Sequence, residues 1–257
     1  GGFAANYSLA TGQTDSAVIT AKALTAVATA ANKAYDGNTT ASSTLALSGL
    51  IGSETLTTSG VGSTFNDKDV ADANTVTINS STLVNGTDGN GGFAANYSLA
   101  TGQTDSAVIT AKALTAAATA ANKAYDGNTT ASSTLALSGL IGSETLTTSG
   151  VGSTFNDKDV ADANTVTINS STLVNGNYGG FAANYSLATG QTDSAVITAK
   201  ALTAVATAAN KAYDGNTTAS STLALSGLIG SETLTTSGVG STFNDKDVAD
   251  ANTVTIN

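Results

Sequence analysis

The sequence contains no Cys, Met, His, Trp, Arg or Pro. Without Cys there is no disulfide and no thiol chemistry, although a cysteine-free chain fits any compartment. Without His and Arg the chain lacks the usual general base, the commonest metal ligand and the bidentate anion clamp. Positive charge is scarce: nine Lys face 19 Asp and Glu, for a net charge of -10. Nucleic-acid binding needs a clustered positive field, and anionic lipid needs basic residues, so neither partner is expected. No apolar run approaches the roughly 18–20 residues that span a bilayer, and no signal-peptide pattern is visible. A chain that opens inside a repeat and lacks an initiator Met reads as a piece of a longer, processed polypeptide.

What is present is repetition. The stretch Lys33-Ala34-Tyr35-Asp36-Gly37-Asn38-Thr39-Thr40 returns unchanged from Lys123 and again from Lys211. Tyr125 lies 90 residues after Tyr35, and Tyr213 lies 88 after Tyr125. A period of that size is a small domain, not a solenoid turn. The expected division is residues 1–20 as the end of a preceding unit, 21–110 and 111–198 as complete units, and 199–257 as a third without its C-terminal part. The joints between units are Gly-rich and differ in length, as surface loops do.

Within a unit the signals are those of short strands and turns. Asp36-Gly37 is turn chemistry, because the Asp side chain bonds nearby backbone and Gly accepts positive φ. Residues 43–48 alternate, with Leu45 and Leu47 on one face, and residues 75–79 do the same with Val76 and Ile78. Gly49 and Gly52 bracket a turn, and Gly60 with Gly62 marks a bulge or hairpin. Residues 66–74 read as a polar, Asp-rich loop. Asn6-Tyr7-Ser8-Leu9-Ala10 and residues 16–20 are strand candidates, with copies in the later units. Residues 21–34 are ambiguous. Leu24, Val27, Ala28 and Ala31 fit a helix face, but Thr25 and Thr29 interrupt it, so an extended connector is favoured over a helix. Expected core positions are Leu24, Tyr35, Leu45, Leu47, Leu56, Phe65, Val76, Ile78, Leu83, Phe93, Tyr97, Leu99, Val108 and Ile109. The fold class that follows is all-β: tandem small β-sandwich or β-grasp-like domains forming an elongated rod.

The order of blocks resembles a known family. Lys-x-Tyr-Asp-Gly is followed by Leu-Ser-Gly-Leu-Ile-Gly-x-Glu, Phe-Asn-Asp-Lys-Asp-Val, Asn-Tyr-Ser-Leu and Ile-Thr-Ala-Lys-Ala-Leu. This series is similar to the YDG-type repeats of large secreted bacterial adhesins of the filamentous-haemagglutinin kind. The matching motif is Tyr35, Asp36 and Gly37, then Tyr125, Asp126 and Gly127, then Tyr213, Asp214 and Gly215, with the Asn66-Asp67-Lys68-Asp69 block and its copies. The resemblance implies an extracellular or cell-surface stalk of β domains, with no catalytic residues and no cofactor to carry over.

Other constellations compete with bland readings. Asp67, Asp69 and Asp72 could ligate calcium, but Lys68 sits among them and no bidentate Glu follows, so a solvated acidic loop is the default. Lys33 with Asp36, or Lys68 with a nearby Asn, raises an intramolecular isopeptide; an exposed ion pair is the simpler reading. The Asn-x-Ser/Thr triplets follow from composition. Catalysis is disfavoured, because nothing is present to activate the abundant Ser and Thr.

The expected function is a stalk or fibre segment projecting a binding tip whose ligand lies elsewhere. Expected partners are further copies of the repeat, in one long chain or head to tail. One alternative is a self-assembling filament or biofilm-matrix subunit. In that case residues 1–20 would be donated to a neighbour, with Val18 and Ile19 filling a groove near Val254 and Ile256. A carbohydrate- or surface-binding module is the other alternative.

Overall fold

The computed structural model describes residues 1–257 and contains strands, turns and three single-turn 3-10 segments, with no α-helix. The first repeat carries nine strands: β1 (Lys22–Ala30), β2 (Lys33–Ala34), β3 (Thr40–Ala41), β4 (Ser43–Ser48), β5 (Leu56–Phe65), β6 (Thr75–Asn85), β7 (Tyr97–Leu99), β8 (Thr104–Ser106) and β9 (Ile109–Thr110). They form a β4-β1-β7 sheet, a β3-β5-β6-β8 sheet and a short parallel β2-β9 pair. Leu24 of β1, Leu56 of β5 and Tyr97 of β7 pack together with Leu47, Leu83 and Leu99, so the two sheets share one core. This is a two-layer sandwich of the kind alternating strands build. A β-grasp would need a helix, and none is formed.

Residues 22–30 are a strand, which settles the ambiguous stretch. β1 runs antiparallel to β4 from Thr25↔Ser48 to Ala30↔Ser43 and parallel to β7 over Lys22, Ala23 and Leu24. It is the central strand of its sheet, more than a connector between units. The helix-like spacing of Leu24 and Ala28 is equally a strand spacing of four, and both side chains are buried. Gly60 adopts a φ of +58°, and the β5–β6 register shifts around Gly62, so the expected bulge is formed. Most expected core positions are buried or half-buried, but Phe93 and Val108 are exposed. Val108 alternates with Ile109, and the register that turns Ile109 inward turns Val108 outward. Phe93 leads into a 3-10 turn (Ala94–Asn96) on the surface.

The second repeat carries β10 (Lys112–Ala120), β11 (Lys123–Ala124), β12 (Thr130–Ala131), β13 (Ser133–Ser138), β14 (Leu146–Phe155), β15 (Thr165–Asn175), β16 (Tyr185–Leu187), β17 (Thr192–Ser194) and β18 (Ile197–Thr198). The registers recur: β10 with β13, β11 with β18, β12 with β14 and β15 with β17. Phe155, Ala163, Val166, Ala195 and Ile197 form a core with Tyr125 packed against it. The third repeat retains β19 (Thr203–Ala208) with β20 (Ser221–Ser226), and β21 (Ser241–Phe243) with β22 (Val254–Ile256).

Residues 1–20 were expected to supply strands, and they form none. Their one ordered element is a 3-10 turn (Ala4–Asn6), and Phe3, Tyr7, Leu9, Val18 and Ile19 are exposed. The same sequence makes β7, β8 and β9 in the first repeat, where Tyr97 and Leu99 lie beside Lys22 and Leu24. A strand needs an edge to pair with, and residues 1–20 have no such edge in this chain.

The compact units of the chain do not coincide with the repeats. One unit comprises Gly1–Leu114 with Gly139–Leu146 and Asn175–Ser186; the other comprises Thr115–Ser138, Thr147–Val174 and Leu187–Asn257. In the first unit, two loops of repeat 2 are therefore packed with repeat 1.

Candidate functional site

The packing of those loops centres on the Tyr-Asp-Gly turn. The turn begins where β2 pairs with β9, and the Tyr35 amide donates to the Thr110 carbonyl at 2.9 Å. Asp36 Oδ1 then accepts the Asn38 amide at 3.2 Å, and Asn38 Oδ1 accepts the Thr40 amide at 2.9 Å. Lys33 Nζ closes the turn by donating to Asp36 Oδ1 at 2.6 Å and to the Asn38 carbonyl at 2.8 Å. The Lys33–Asp36 pair of the sequence analysis is thus an ion pair inside a hydrogen-bonded turn. Burial opposes the Asp36 charge, but the bonds from Lys33 and Asn38 prevail and hold its carboxyl below the usual range. Gly37 has a φ of +81°, and a Cβ there would stand 2.9 Å from Ile141 Cγ2. Glycine is needed twice, for the turn and for the close approach of the next repeat.

From this turn Tyr35 reaches the next repeat. Its side chain is 1% exposed, and its ring meets Tyr185 edge-on with centroids 5.3 Å apart. The hydroxyl donates to Glu144 Oε1 at 2.6 Å, while Tyr185 donates to Glu144 Oε2 at 2.6 Å. The Ile141 amide donates in turn to the Tyr185 hydroxyl at 3.0 Å. One carboxylate therefore takes two phenols from successive repeats, a charge-assisted arrangement stronger than a neutral pair. Burial, then the Glu144 bond and charge, push both phenols up: Tyr35 far above 10 and Tyr185 to about 12.

A second contact lies at the Asp-rich loop. Asn184 is 1% exposed; its Oδ1 accepts the Val70 amide at 2.8 Å and its Nδ2 donates to Asp69 Oδ1 at 2.7 Å. Lys68 donates to the same Asp69 oxygen at 2.6 Å and lies 5.6 Å from the centroid of the Phe181 ring. Burial opposes the Asp69 charge, but the bonds from Lys68 and Asn184 outweigh it and lower its pKa. Asp67 Oδ1 accepts the Asp69 amide at 2.8 Å, and the Asp72 amide donates to the Asp69 carbonyl at 3.1 Å. Asn66 ties the ends of the loop, accepting from the Asn74 and Thr75 amides and donating to the Asp72 carbonyl. The three carboxylates considered for calcium are not gathered around a common point; Asp69 is occupied by Lys68 and Asn184.

The second Tyr-Asp-Gly turn begins the same contact. Lys123 bonds Asp126 and Asn128, Gly127 has a φ of +80°, and the Tyr125 hydroxyl donates to Glu232. Beside it Tyr125, Val160, Leu202, Ile229, Glu232 and Leu234 line an open cleft. The third turn has the same internal bonds around Lys211, Asp214 and Asn216, and a φ of +78° at Gly215. Tyr213 there is 63% exposed.

The motif residues were legible as a recurring turn, but their partners were not. Glu144, Ile141, Asn184 and Tyr185 were read only as parts of repeated blocks. A usable signal was present: each repeat holds one Glu (Glu54, Glu144, Glu232), always on the same Gly-bracketed turn.

Fold and joint together define a chain of tandem all-β repeats, in which the Tyr-Asp-Gly turns of the first two each contact the repeat that follows. The family model for the YDG domain matches residues 20–106, 110–194 and 198–257. The chain therefore belongs to the YDG domain family, in three tandem copies. No curated protein and no solved structure matches it.

Proposed function

We propose that these repeats form a structural stalk segment of an extracellular bacterial adhesin, carrying a binding tip away from the cell surface. The observation that carries this reading is the joint itself. The best-organised polar groups of the chain, Tyr35, Glu144, Tyr185, Asn184 and Asp69, are spent on fixing one repeat to the next. A spacer needs adjoining domains that resist swivelling, and hydrogen bonds at buried joints supply that resistance. The acidic surface suits a long extracellular element that must stay soluble. The resemblance to repeats of secreted adhesins supports the same reading, with further copies of the repeat as the partners. The test is a glycan array probed with the immobilised chain. The stalk reading expects no specific hit; a reproducible, saturable hit on one glycan class would replace it with a carbohydrate-binding module.

A further inference from the structure

The first two repeats each begin and end on strands that lie side by side and run the same way. In repeat 1 the first segment is the chain from β1 to β2, and the last is the chain from β7 to β9. They pair in parallel at both ends, from Lys22↔Tyr97 to Leu24↔Leu99 and from Lys33↔Ile109 to Ala34↔Thr110. Between those pairs the Ala30 amide donates to Asp105 Oδ2 at 2.8 Å, and the Val108 amide donates to Asn32 Oδ1 at 2.8 Å. The Lys33 amide donates to the Val108 carbonyl at 3.2 Å, and Thr110 Oγ1 donates to the Lys33 carbonyl at 3.2 Å. Repeat 2 is stitched in the same way around β11 and β18: Ala120 to Asp193, Val196 to Asn122 and Thr198 to Lys123.

The direction of these strands decides how they meet a pull. Tension along the chain enters repeat 1 at Lys22 and leaves it at Thr110, at opposite ends of the paired segments. Parallel neighbours pulled in this way are dragged past each other along their own length, and the bonds between them resist together. An antiparallel pair entered and left at one end would open bond by bond. Side chains oppose the slide as well. Ala107 and Ile109 of the last segment are buried, as are Leu24 and Tyr35 of the first. A slip of one residue would turn Ile109 outward and the exposed Val108 inward. Only Ala111 separates β9 from β10, so tension passes to the next repeat without slack. The docked Tyr35 strengthens the exit point, because its amide donates to the Thr110 carbonyl while Glu144 holds its hydroxyl.

We propose that the paired first and last segments of a repeat are a mechanical clamp. Tension along the chain loads their hydrogen bonds in shear, so the repeat stays folded under forces that would peel the same sheet apart. Resistance to force is governed by the unfolding rate and not by equilibrium stability, so pulling reads this property and melting does not. The clamp deepens the stalk reading without resting on it, because the pairing resists tension whatever the chain is attached to. A glycan hit would end the stalk reading and leave the clamp standing.

The experiment is single-molecule force spectroscopy on the 257-residue chain, with far-UV circular dichroism as the check on folding. The chain has no Cys, so an introduced pair gives unique attachment points. Ala21→Cys with Ala111→Cys pulls repeat 1 in shear. Ala21→Cys with Ala95→Cys pulls at one end of the β1–β7 pair and peels it. At one loading rate the shear pair should rupture at clearly higher force, in a single step releasing up to roughly 300 Å of extended chain. Asn32→Ala, at an exposed position, removes the acceptor of the Val108 amide. At constant force it should speed rupture in shear about fivefold, the effect of one lost hydrogen bond. It should leave peeling unchanged, because that pair opens from the Lys22 end. If Asn32→Ala does not fold, Thr110→Val gives the same reading through the bond to the Lys33 carbonyl. Equal rupture forces in the two geometries overturn the proposal. So does a variant that speeds both alike, the mark of a general loss of stability, or that speeds neither.

Discussion

At Tyr35 the ring is buried against Tyr185 and its hydroxyl shares Glu144 with a second phenol; at Tyr125 the turn is identical, yet the ring is only half-buried and Glu232 takes one phenol. The difference extends to the acidic loops. The Asp69 side chain is 26% exposed and bonded to Asn184, whereas that of Asp159, in the same sequence, is 55% exposed. Val70 is half-buried and Val160 is 43% exposed. The accepting turns are the same, so the contrast comes from the inserting side. Repeat 2 supplies Phe181, Asn184 and Tyr185, and repeat 3 has no counterpart of them in this chain. A Gly-turn Glu is enough to locate the joint, but the Phe-Ala-Ala-Asn-Tyr segment is needed to bury it.

The largest effect expected from that contrast is at the tyrosine itself. Tyr35→Ala removes a buried aromatic ring and should cost about 3–5 kcal/mol, the usual loss for a large core aromatic. Tyr125→Ala should cost roughly half as much, because the ring gives up less burial. Native-state hydrogen exchange of the β2–β9 and β11–β18 amides reads the two sites separately. Equal losses would show that the segment carrying Asn184 and Tyr185 adds nothing to the first joint.

Next in size is the carboxylate. Glu144→Ala strands two phenols, one of them fully buried, and about 2–3 kcal/mol should be lost; Glu232→Ala strands the single phenol of the half-buried Tyr125 and should cost less. The same arrangement makes the first joint sensitive to alkali. Tyr35 and Tyr185 ionise later in the folded chain than the ordinary value of 10, Tyr185 at about 12. A raised phenol binds its proton more firmly when folded, so stability is fully present below pH 10 and falls as pH rises through 10 towards 12. Exchange protection of the first joint should decline across that window. Replacing both residues by Phe should flatten the decline; an unchanged slope in the double variant would place the sensitivity elsewhere.

Asn184→Ala should cost about 1–2 kcal/mol, since it deprives the Val70 amide of its acceptor and Asp69 of a donor. The sharper readout is the Val70 amide, whose exchange should rise to the rate of Val160. Should Val160 already exchange as slowly as Val70, Asn184 is not what protects the first loop.

How far the sequence reveals this depends on distance along the chain. Local pairings were legible. Val76 and Ile78 alternate onto one face and are each 1% exposed, and Gly60 with Gly62 forms the expected bulge. The stretch around Leu24 and Ala28 was harder, because Ala-rich sequence fits a helix or a strand. Pairing with β4 on one side and β7 on the other decided it, and the second of those partners is supplied more than 70 residues later. The joint was illegible for the same reason in stronger form. Tyr35 was expected in a core and is buried, but its partner lies 109 residues away in the next repeat. Phe93 was expected inside because it is a large apolar residue. Its copy Phe181 shows the purpose of the position instead: it sits on the surface, beneath Lys68 of the preceding repeat.

The smallest effect expected is that of a chelator. Asp67, Asp69 and Asp72 lie close in sequence, but Asp69 is engaged by Lys68 and Asn184, and Asp67 holds the Asp69 amide. Calcium wants six to eight oxygens, and capturing Asp69 would mean breaking the joint that Asn184 makes. The copy at Asp157, Asp159 and Asp162 is freed from that constraint, since Asp159 is bonded to Lys158 and more exposed. If either loop bound calcium it would be the second, and the chain would then gain stability by mass action. The expectation is that thermal melting with a chelator and with added calcium coincide. A chelator-induced drop restored by calcium, and abolished by Asp159→Asn but not by Asp69→Asn, would show that the open joint is an ion site and that closing the joint removes it.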